Sequence, residues 1–413
     1  MLGTDRIQGI KGREVLNARG RPTVEAELVT EKGIRVTASV PSGTSRGKYE
    51  AYELYDGGTR YDGYGTKKAA ANISGPIARA LKGRDVADQR GIDQVLLELD
   101  GTDTKRNLGG NAVLAASVAA ARAGAASQGV SPFRYLLQPG VVPGLPDIVA
   151  TVIAGGVFST SGLEFEDYMM ILHDFPGFPE ELEALVALRK QLEKKLRAKY
   201  LDFPEDGGAL AAPLASTAEA FDYILSTAAD LGYRGKVDVG LDVAASELWD
   251  EKTGRYRLNG GKTCNRSELL AYYAKLCEKY PLTFLEDGFE QDAFEDFAKL
   301  RSMFPERQIV GDDLFVTNTK RLQKGIDCMA ATGILLKINQ IGTVTEAVAA
   351  SNLARSNGMD VIVSLRSGET GDDFIADLAV AVGARQIKLG SPVREERNAK
   401  YNRLLRIWEE LQG

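Results

Sequence analysis

Ile334-Leu335-Leu336-Lys337-Ile338-Asn339-Gln340 runs apolar residues straight into a lysine, and Asn339, Gln340 and Gly342 follow closely. Such a run reads as a buried parallel strand ending at a catalytic rim. Both faces of that strand are covered, so Lys337 is either held in the interior or snorkels to water on its methylene stem. The pattern recurs in Lys236-Val-Asp-Val-Gly-Leu-Asp242, Leu282-Thr-Phe-Leu-Glu286-Asp287 and Gln308-Ile-Val-Gly-Asp312-Asp313, each an apolar run closed by carboxylates. Asp360-Val-Ile-Val-Ser-Leu365-Arg366-Ser367 and Gln386-Ile-Lys388-Leu-Gly continue it. From Glu286 onward the ends lie roughly 25 residues apart with helix-like stretches between, the rhythm of strand–helix units. A parallel β/α barrel follows, with its site at the strands' C-terminal ends. Asp242, Glu286, Asp312, Lys337, Arg366 and Lys388 then converge on one mouth.

With 413 residues the chain is long enough for two domains, one of them barrel-sized. A hydrophobic content of 44% and a charged content of 26% are ordinary for a soluble globular protein. A formal charge of −6 argues against a general nucleic-acid surface while leaving room for a local basic pocket. Cys264, Cys277 and Cys328 fit neither a disulfide framework nor a zinc pattern, which points to a reducing cytosol. No secretory leader is visible at Met1-Leu-Gly-Thr-Asp-Arg, and no run reaches membrane-spanning length. Histidine chemistry would have to rest on His173 alone.

Ile7 to Val29 alternates around Gly20-Arg21-Pro22 and reads as a hairpin, with Ile34 to Val40 as a third strand. Pro41-Ser-Gly-Thr-Ser-Arg-Gly-Lys48 is either a plain surface loop or a lid over an anionic ligand. Helical patterns cover Lys67 to Leu81, Gly91 to Leu99 and Asn111 to Gln128. Strands followed by helices suggest a separate α+β domain. Pro132, Pro139, Pro143 and Pro146 mark its end, dividing the chain into 1–142 and 143–413. Glu180 to Tyr200 reads as a charged amphipathic helix on a solvated barrel face. No Walker loop, dinucleotide fingerprint or nucleophile elbow occurs.

Asp242, Glu286 and Asp312 are hard oxygen donors suited to Mg²⁺, although each could instead cap a helix or pair with a cation. A lysine beside a metal and a second cation has its pKa lowered toward use as a base, which suits Lys337 with Lys388 nearby. Arg366 and Ser367 offer a planar fork and a hydroxyl to phosphate or carboxylate. Metal, base and anion cradle together suit abstraction of a proton next to a carboxylate. The enolase superfamily pairs a lysine or histidine base with Mg²⁺ in this way.

At these residues the chain resembles enolase, and the likeness covers nearly its whole length. It includes Arg19-Gly-Arg-Pro-Thr-Val-Glu25, Val40-Pro-Ser-Gly-Thr-Ser-Arg-Gly47, Leu99-Asp-Gly-Thr102 and Gly240-Leu-Asp-Val-Ala-Ala-Ser-Glu247. Gly311-Asp-Asp-Leu314, Leu336 to Glu346, Arg366-Ser-Gly-Glu-Thr370 and Ala399 to Arg406 complete it. The resemblance implies an enolase-type barrel behind an α+β capping domain, and a Mg²⁺-dependent hydro-lyase. Asp242, Glu286 and Asp312 then hold the first Mg²⁺, and Ser42 a second one shared with substrate phosphate. Lys337 becomes the base, Lys388 faces the substrate carboxylate, and Arg366 and Ser367 contact phosphate. A small anionic substrate and a homodimer are implied, with Arg13–Glu409 and Glu25–Arg406 pairs and Trp408 at the interface.

The departures from the family are specific. Enolases carry Gly-Gly-Ser-His where this chain has Gly155-Gly-Val-Phe158, and Ser-His-Arg-Ser where it has Ser364-Leu365-Arg-Ser367. Asp-Glu-Gly-Gly appears as Glu205-Asp206-Gly-Gly208, and Gln-Glu as Glu166-Asp167. Two imidazoles have become apolar and two carboxylates are each shorter by a methylene. Catalytic geometry tolerates shifts of about 1 Å poorly. Three readings follow: a dehydratase of 2-phosphoglycerate or a close analogue, a relative similar to carboxyphosphonoenolpyruvate synthase, and a non-catalytic binding protein. The conserved-type metal set and both lysines disfavour the last.

Overall fold

The alternation beginning at Ile7 folds into a hairpin of β1 (Ile7–Leu16) and β2 (Pro22–Thr30), paired antiparallel with Arg13 opposite Glu25. β3 (Arg35–Ser39) pairs with β2 and completes a small sheet. The computed structural model describes residues 4–43, 47–157 and 159–413; Phe158 and three residues of the 41–48 loop lie outside them. Asn17 shapes the hairpin tip: its Oδ1 accepts from the backbone N–H of Arg19 at 2.9 Å and of Arg21 at 3.0 Å. Gly20 turns the chain there at φ 68°.

The helix expected over 67–81 is interrupted. Lys67–Asn72 and Ala78–Leu81 are α-helical, and Ile73–Ile77, with Pro76 inside, forms a widened turn between them. Proline has no N–H and clashes with the carbonyl four residues back, so the helix opens around it. Gly12 of β1 allows this element close, because a Cβ there would meet the Ala70 carbonyl oxygen at 2.4 Å. The alanine-rich helix Gly110–Ser127 is buried along nearly its whole length. It packs against β2 and β3 and also against the short helix Ile338–Ile341 of the barrel.

Eight strands close the barrel: β4 (Asp147–Ala154), β5 (Asp167–Leu172), β6 (Val237–Asp242), β7 (Leu282–Glu286), β8 (Gln308–Gly311), β9 (Gly333–Leu336), β10 (Asp360–Ser364) and β11 (Gln386–Lys388). β11 pairs back onto β4. The sequence predicts an all-parallel barrel, but β5 runs antiparallel to both β4 and β6. A parallel return needs a crossover, normally a helix, whereas the described residues between 155 and 166 contain none. The reversal puts the start of β5 at the mouth, with Asp167 opposite both Ala154 and Asp242. His173, just beyond the other end of β5, is therefore at the far end of the barrel, bonded to Asp174 at 2.8 Å.

Val149, Met169, Ile171, Phe284, Val310, Leu335 and Ile362 fill the barrel interior as one buried cluster beneath the mouth. Phe178–Tyr200 is the expected amphipathic helix, burying Leu185, Leu188, Leu192 and Leu196 and turning most of its charges outward, with Glu181 and Arg189 buried. The small sheet docks on the rim. The N–H of Ala18 donates to Glu369 O at 2.7 Å, and Ser42 and Gly368 exchange backbone bonds at 2.9 and 3.0 Å. Arg122 spans to Asp372 and Asp373 at 2.7 and 2.8 Å.

Candidate active site

The strand ends that stop at charged residues all finish at one level. Asp242 is in register with Asp167 and Glu286, and Ser364 with Lys388. Glu166, Asp167, Asp206, Asp242, Lys337 and Leu365 line one cavity with Arg366, Ser367 and Lys388. The structure thus brings together most of the residues singled out in the sequence. Glu286 and Asp312 lie behind the cavity wall, joined to it through the lysines.

Lys388 is buried and its Nζ donates to Glu286 Oε2 at 2.8 Å, Asp242 Oδ2 at 2.9 Å and Asp167 Oδ2 at 3.1 Å. Burial alone would pull its pKa down, but the charges of Asp242 and Glu286 hold it well above the ordinary lysine value. Burial also works against ionised Asp242, yet Lys388 beside it leaves that carboxyl below its usual range. Glu286 goes the other way: fully enclosed and next to Asp242, it is raised well above the usual carboxylate range. Its Oε1 has no hydrogen-bond partner.

Lys337 Nζ is bonded to Asp312 Oδ2; among the protein's own groups burial and the repulsion of Arg366 lower its pKa, and the charge of Asp312 outweighs them and raises it. Asp312 also accepts from Gln340 Nε2 at 2.7 Å. Asp287 lies under the same strand end and accepts the backbone N–H groups of Asp312 and Asp313 at 2.9 and 2.7 Å. Asp287, Asp312 and Asp313 bring carboxylate oxygens within 4.8 Å of one another. Burial, with Asp312 and Glu50 adding to it, pushes Asp313 up to about 8. Asp287 and Asp313 were visible in the sequence only as second members of carboxylate doublets.

Arg366 is clamped by a carboxylate that sequence reasoning did not single out. Glu50 accepts from its Nη1 at 2.9 Å and its Nη2 at 3.2 Å, and Asn339 Oδ1 also accepts from Nη1 at 3.2 Å. Burial opposes the guanidinium charge, but Glu50 more than offsets it. Ser42 sits at the rim beside Gly368, where its Oγ accepts from Asn17 Nδ2 at 2.6 Å. Asp206 ends the short strand Glu205–Asp206, just before the Gly207–Gly208 turn into Ala209–Leu210, and pairs with Arg19 at 2.8 Å. Arg19 also donates through Nε to Ser367 O at 3.3 Å, so the hairpin tip reaches into the mouth. Glu166, enclosed beside Asp242 and Asp167, is raised well above the ordinary range.

The mouth holds more carboxylate than its lysines neutralise. Among the described residues Asp287, Asp312 and Asp313 form the compact carboxylate group that fits a divalent cation, and of the sequence-predicted ligands Asp242, Glu286 and Asp312 it contains Asp312.

Residues 143–413 match the family model described as enolase, C-terminal TIM barrel domain, and residues 7–136 match enolase, N-terminal domain. The chain belongs to the enolase family. It is 46% identical to the enolase of Methanopyrus kandleri over 99% of this chain and 96% of that one. Against the Pyrococcus furiosus enolase it is 45% identical, covering 98% and 95%. Against that of Rubrobacter xylanophilus it is 44% identical, again over 98% and 95%. The enolase-type barrel with its capping sheet is the architecture described above. Among the described residues no helix is long and apolar enough to cross a membrane.

Proposed function

We propose that this enolase-family chain is a Mg²⁺-dependent hydro-lyase that dehydrates 2-phosphoglycerate or a close analogue. The carrying observation is the meeting of Lys337, Lys388, Arg366 and Ser367 with strand-end carboxylates around one cavity. In this reading Asp242, Glu286 and Asp312 hold the first Mg²⁺, and Ser42 serves a second. A cation held there would supply stabilisation for the negative charge that proton loss creates. Arg366 and Ser367 orient the phosphoryl group, and Lys388 faces the substrate carboxylate. Lys337 Nζ takes the proton next to the carboxylate, so that the C–H electron pair forms the double bond. In this reading the C–O bond breaks with its electron pair on the β-oxygen, which takes a proton from Asp206 and leaves as water; Asp167 and Glu166 line the same cavity. To accept a proton Lys337 must first lose its own, which its bond to Asp312 opposes. The division at 142/143, a homodimeric assembly and a cytosolic setting belong to the same reading.

Leu365 on the cavity wall favours a second reading, in which the phosphoryl group of the substrate is altered as for carboxyphosphonoenolpyruvate synthase. Leu365 and Phe158 replace donors worth on the order of 3 kcal/mol each in a preorganised site. Turnover of 2-phosphoglycerate is accordingly expected well below about 10 per second. Steady-state kinetics on the natural protein and on Phe158→His with Leu365→His and Asp206→Glu decide between the two. Ordinary rates in the natural protein would remove the case for an altered substrate. Lys337→Ala should abolish exchange of the substrate's α-proton with solvent, and exchange that persists would place the base elsewhere.

A further inference from the structure

Arg397 stands in the first turn of the helix Glu395–Gln412, at the end where the helix dipole disfavours a cation. Its side chain nonetheless folds into the catalytic cavity and is only 7% exposed. Among the described residues, the other cations lining that cavity each have a close carboxylate: Arg19 has Asp206, Lys337 has Asp312, Arg366 has Glu50, and Lys388 has three. Arg397 has none so near; Glu396 approaches its Nε only to 3.9 Å. Nη1 donates a long bond to Leu389 O at 3.3 Å, and among the described residues Nε makes no hydrogen bond. Burial pulls this guanidinium below the usual arginine range, with Glu396, Glu369 and Asp167 offering only distant support.

Two glycines make room for it. A Cβ on Gly207, next to Asp206, would meet Nη2 at 2.2 Å, and one on Gly390, two residues after Lys388, would meet Nη1 at 2.2 Å. The guanidinium therefore lies between the turn carrying the proposed acid and the strand end carrying Lys388. A buried charge without a counter-charge is costly, and a fold that keeps one at a binding cavity gains from a ligand that pairs with it. Arg366 and Ser367 serve the phosphoryl group, so the group left for the Lys388 side is a carboxylate.

We propose that Arg397 is a substrate-binding residue that donates to the carboxylate of the substrate, reached through the space left by Gly207 and Gly390. This rests on the dehydratase reading for the substrate, but not for the recognition of a carboxylate. Its test is therefore binding rather than turnover. Affinities of the natural protein, Arg397→Gln and Arg397→Lys are measured by calorimetry with Mg²⁺ for three probes. The probes are 2-phosphoglycerate, glycerol 2-phosphate (no carboxylate) and glycerate (no phosphoryl group).

Arg397→Gln should weaken 2-phosphoglycerate and glycerate by about 10- to 100-fold, as loss of a charged hydrogen bond does. Glycerol 2-phosphate should change by less than about threefold, and Arg397→Lys should fall between. Without ligand, Arg397→Gln should melt no lower than the natural protein, since it removes an uncompensated buried charge. Equal losses for all three probes, no losses, or a lowered melting temperature with unchanged probe ratios would each overturn the assignment in favour of a structural wedge. If the natural protein binds glycerate selectively through Arg397 but does not turn over 2-phosphoglycerate, the dehydratase reading fails for that substrate and this one stands. If it binds none of the probes, both fail.

Discussion

Glu181, in the helix Phe178–Tyr200, is 5% exposed, and its Oε1 accepts from the N–H of Ile148 at 2.7 Å. Burial pushes it up to about 8, the Ile148 bond opposes the rise, and Asp147 adds to it. An unfolded glutamate titrates near about 4.3. Below that value both states carry the proton and the group costs nothing. Between there and about 8 the unfolded chain has lost its proton while the folded one keeps it, so stability falls as pH rises through that window. Glu181→Gln should remain stable at pH 8 by roughly 1–3 kcal/mol relative to the natural protein, with little difference near pH 5. Denaturant titrations of both proteins at the two pH values check this, and a constant difference would mean that Glu181 is ionised and paired. Residue by residue, Asp242, Glu286, Asp312, Lys337 and Lys388 were legible because each closes an apolar run. Glu50 and Arg19 were not. Glu50 meets Arg366 across 316 positions and Arg19 meets Asp206 across 187, and no local pattern carries such a pairing.

Among the elements, the C-terminal helix Glu395–Gln412 acts on the Arg366–Ser367 turn through one side chain. Lys400, fully buried, bonds Glu369 Oε2 at 2.8 Å and the carbonyls of Thr370 and Glu396 at 2.7 Å each. The other Glu369 oxygen accepts the N–H of Arg366 at 3.0 Å. Lys400→Met should therefore leave a buried carboxylate unpaired, at a cost of about 3–5 kcal/mol, and loosen the turn that presents Arg366. Adding Glu369→Gln should recover most of the stability, because it removes the stranded charge. Guanidinium unfolding of the single and double variants measures both effects, and additive losses would show that the two residues do not act as a pair. Element types were readable wherever periodicity was long, as in Phe178–Tyr200 and Gly110–Ser127. The reversed β5 was not read, because an apolar strand buried on both faces has no direction in its composition. The connection between β4 and β5, without a helix among its described residues, carries that information.

At the scale of the whole molecule the question is how two copies meet. Arg13 and Glu25 are expected to pair with Glu409 and Arg406 of a second copy, yet here Arg13 bonds Glu25 of its own sheet at 2.6 Å, and Glu27 as well. Arg406 and Glu409 are exposed, and Trp408 is half-buried, its Nε1 near the space a Gly177 side chain would fill. Leu16 is 58% and Tyr61 47% exposed near the same hairpin, which leaves apolar surface for a partner to cover. Exchanging an exposed intrachain pair for an intersubunit one changes little by itself, since such pairs are worth about 0–1 kcal/mol. Apolar burial has to drive assembly, and the charges set its register. The homodimer is therefore predicted to survive high salt, and Arg13→Glu should weaken it, with Glu409→Arg on the same chain restoring part of the loss. Sedimentation at micromolar concentration, with and without 1 M salt (a Debye length of about 3 Å), reads both outcomes. A natural protein that sediments as a monomer would refute the dimer. A dimer that dissociates in salt would shift the driving force from the apolar surface to the charges.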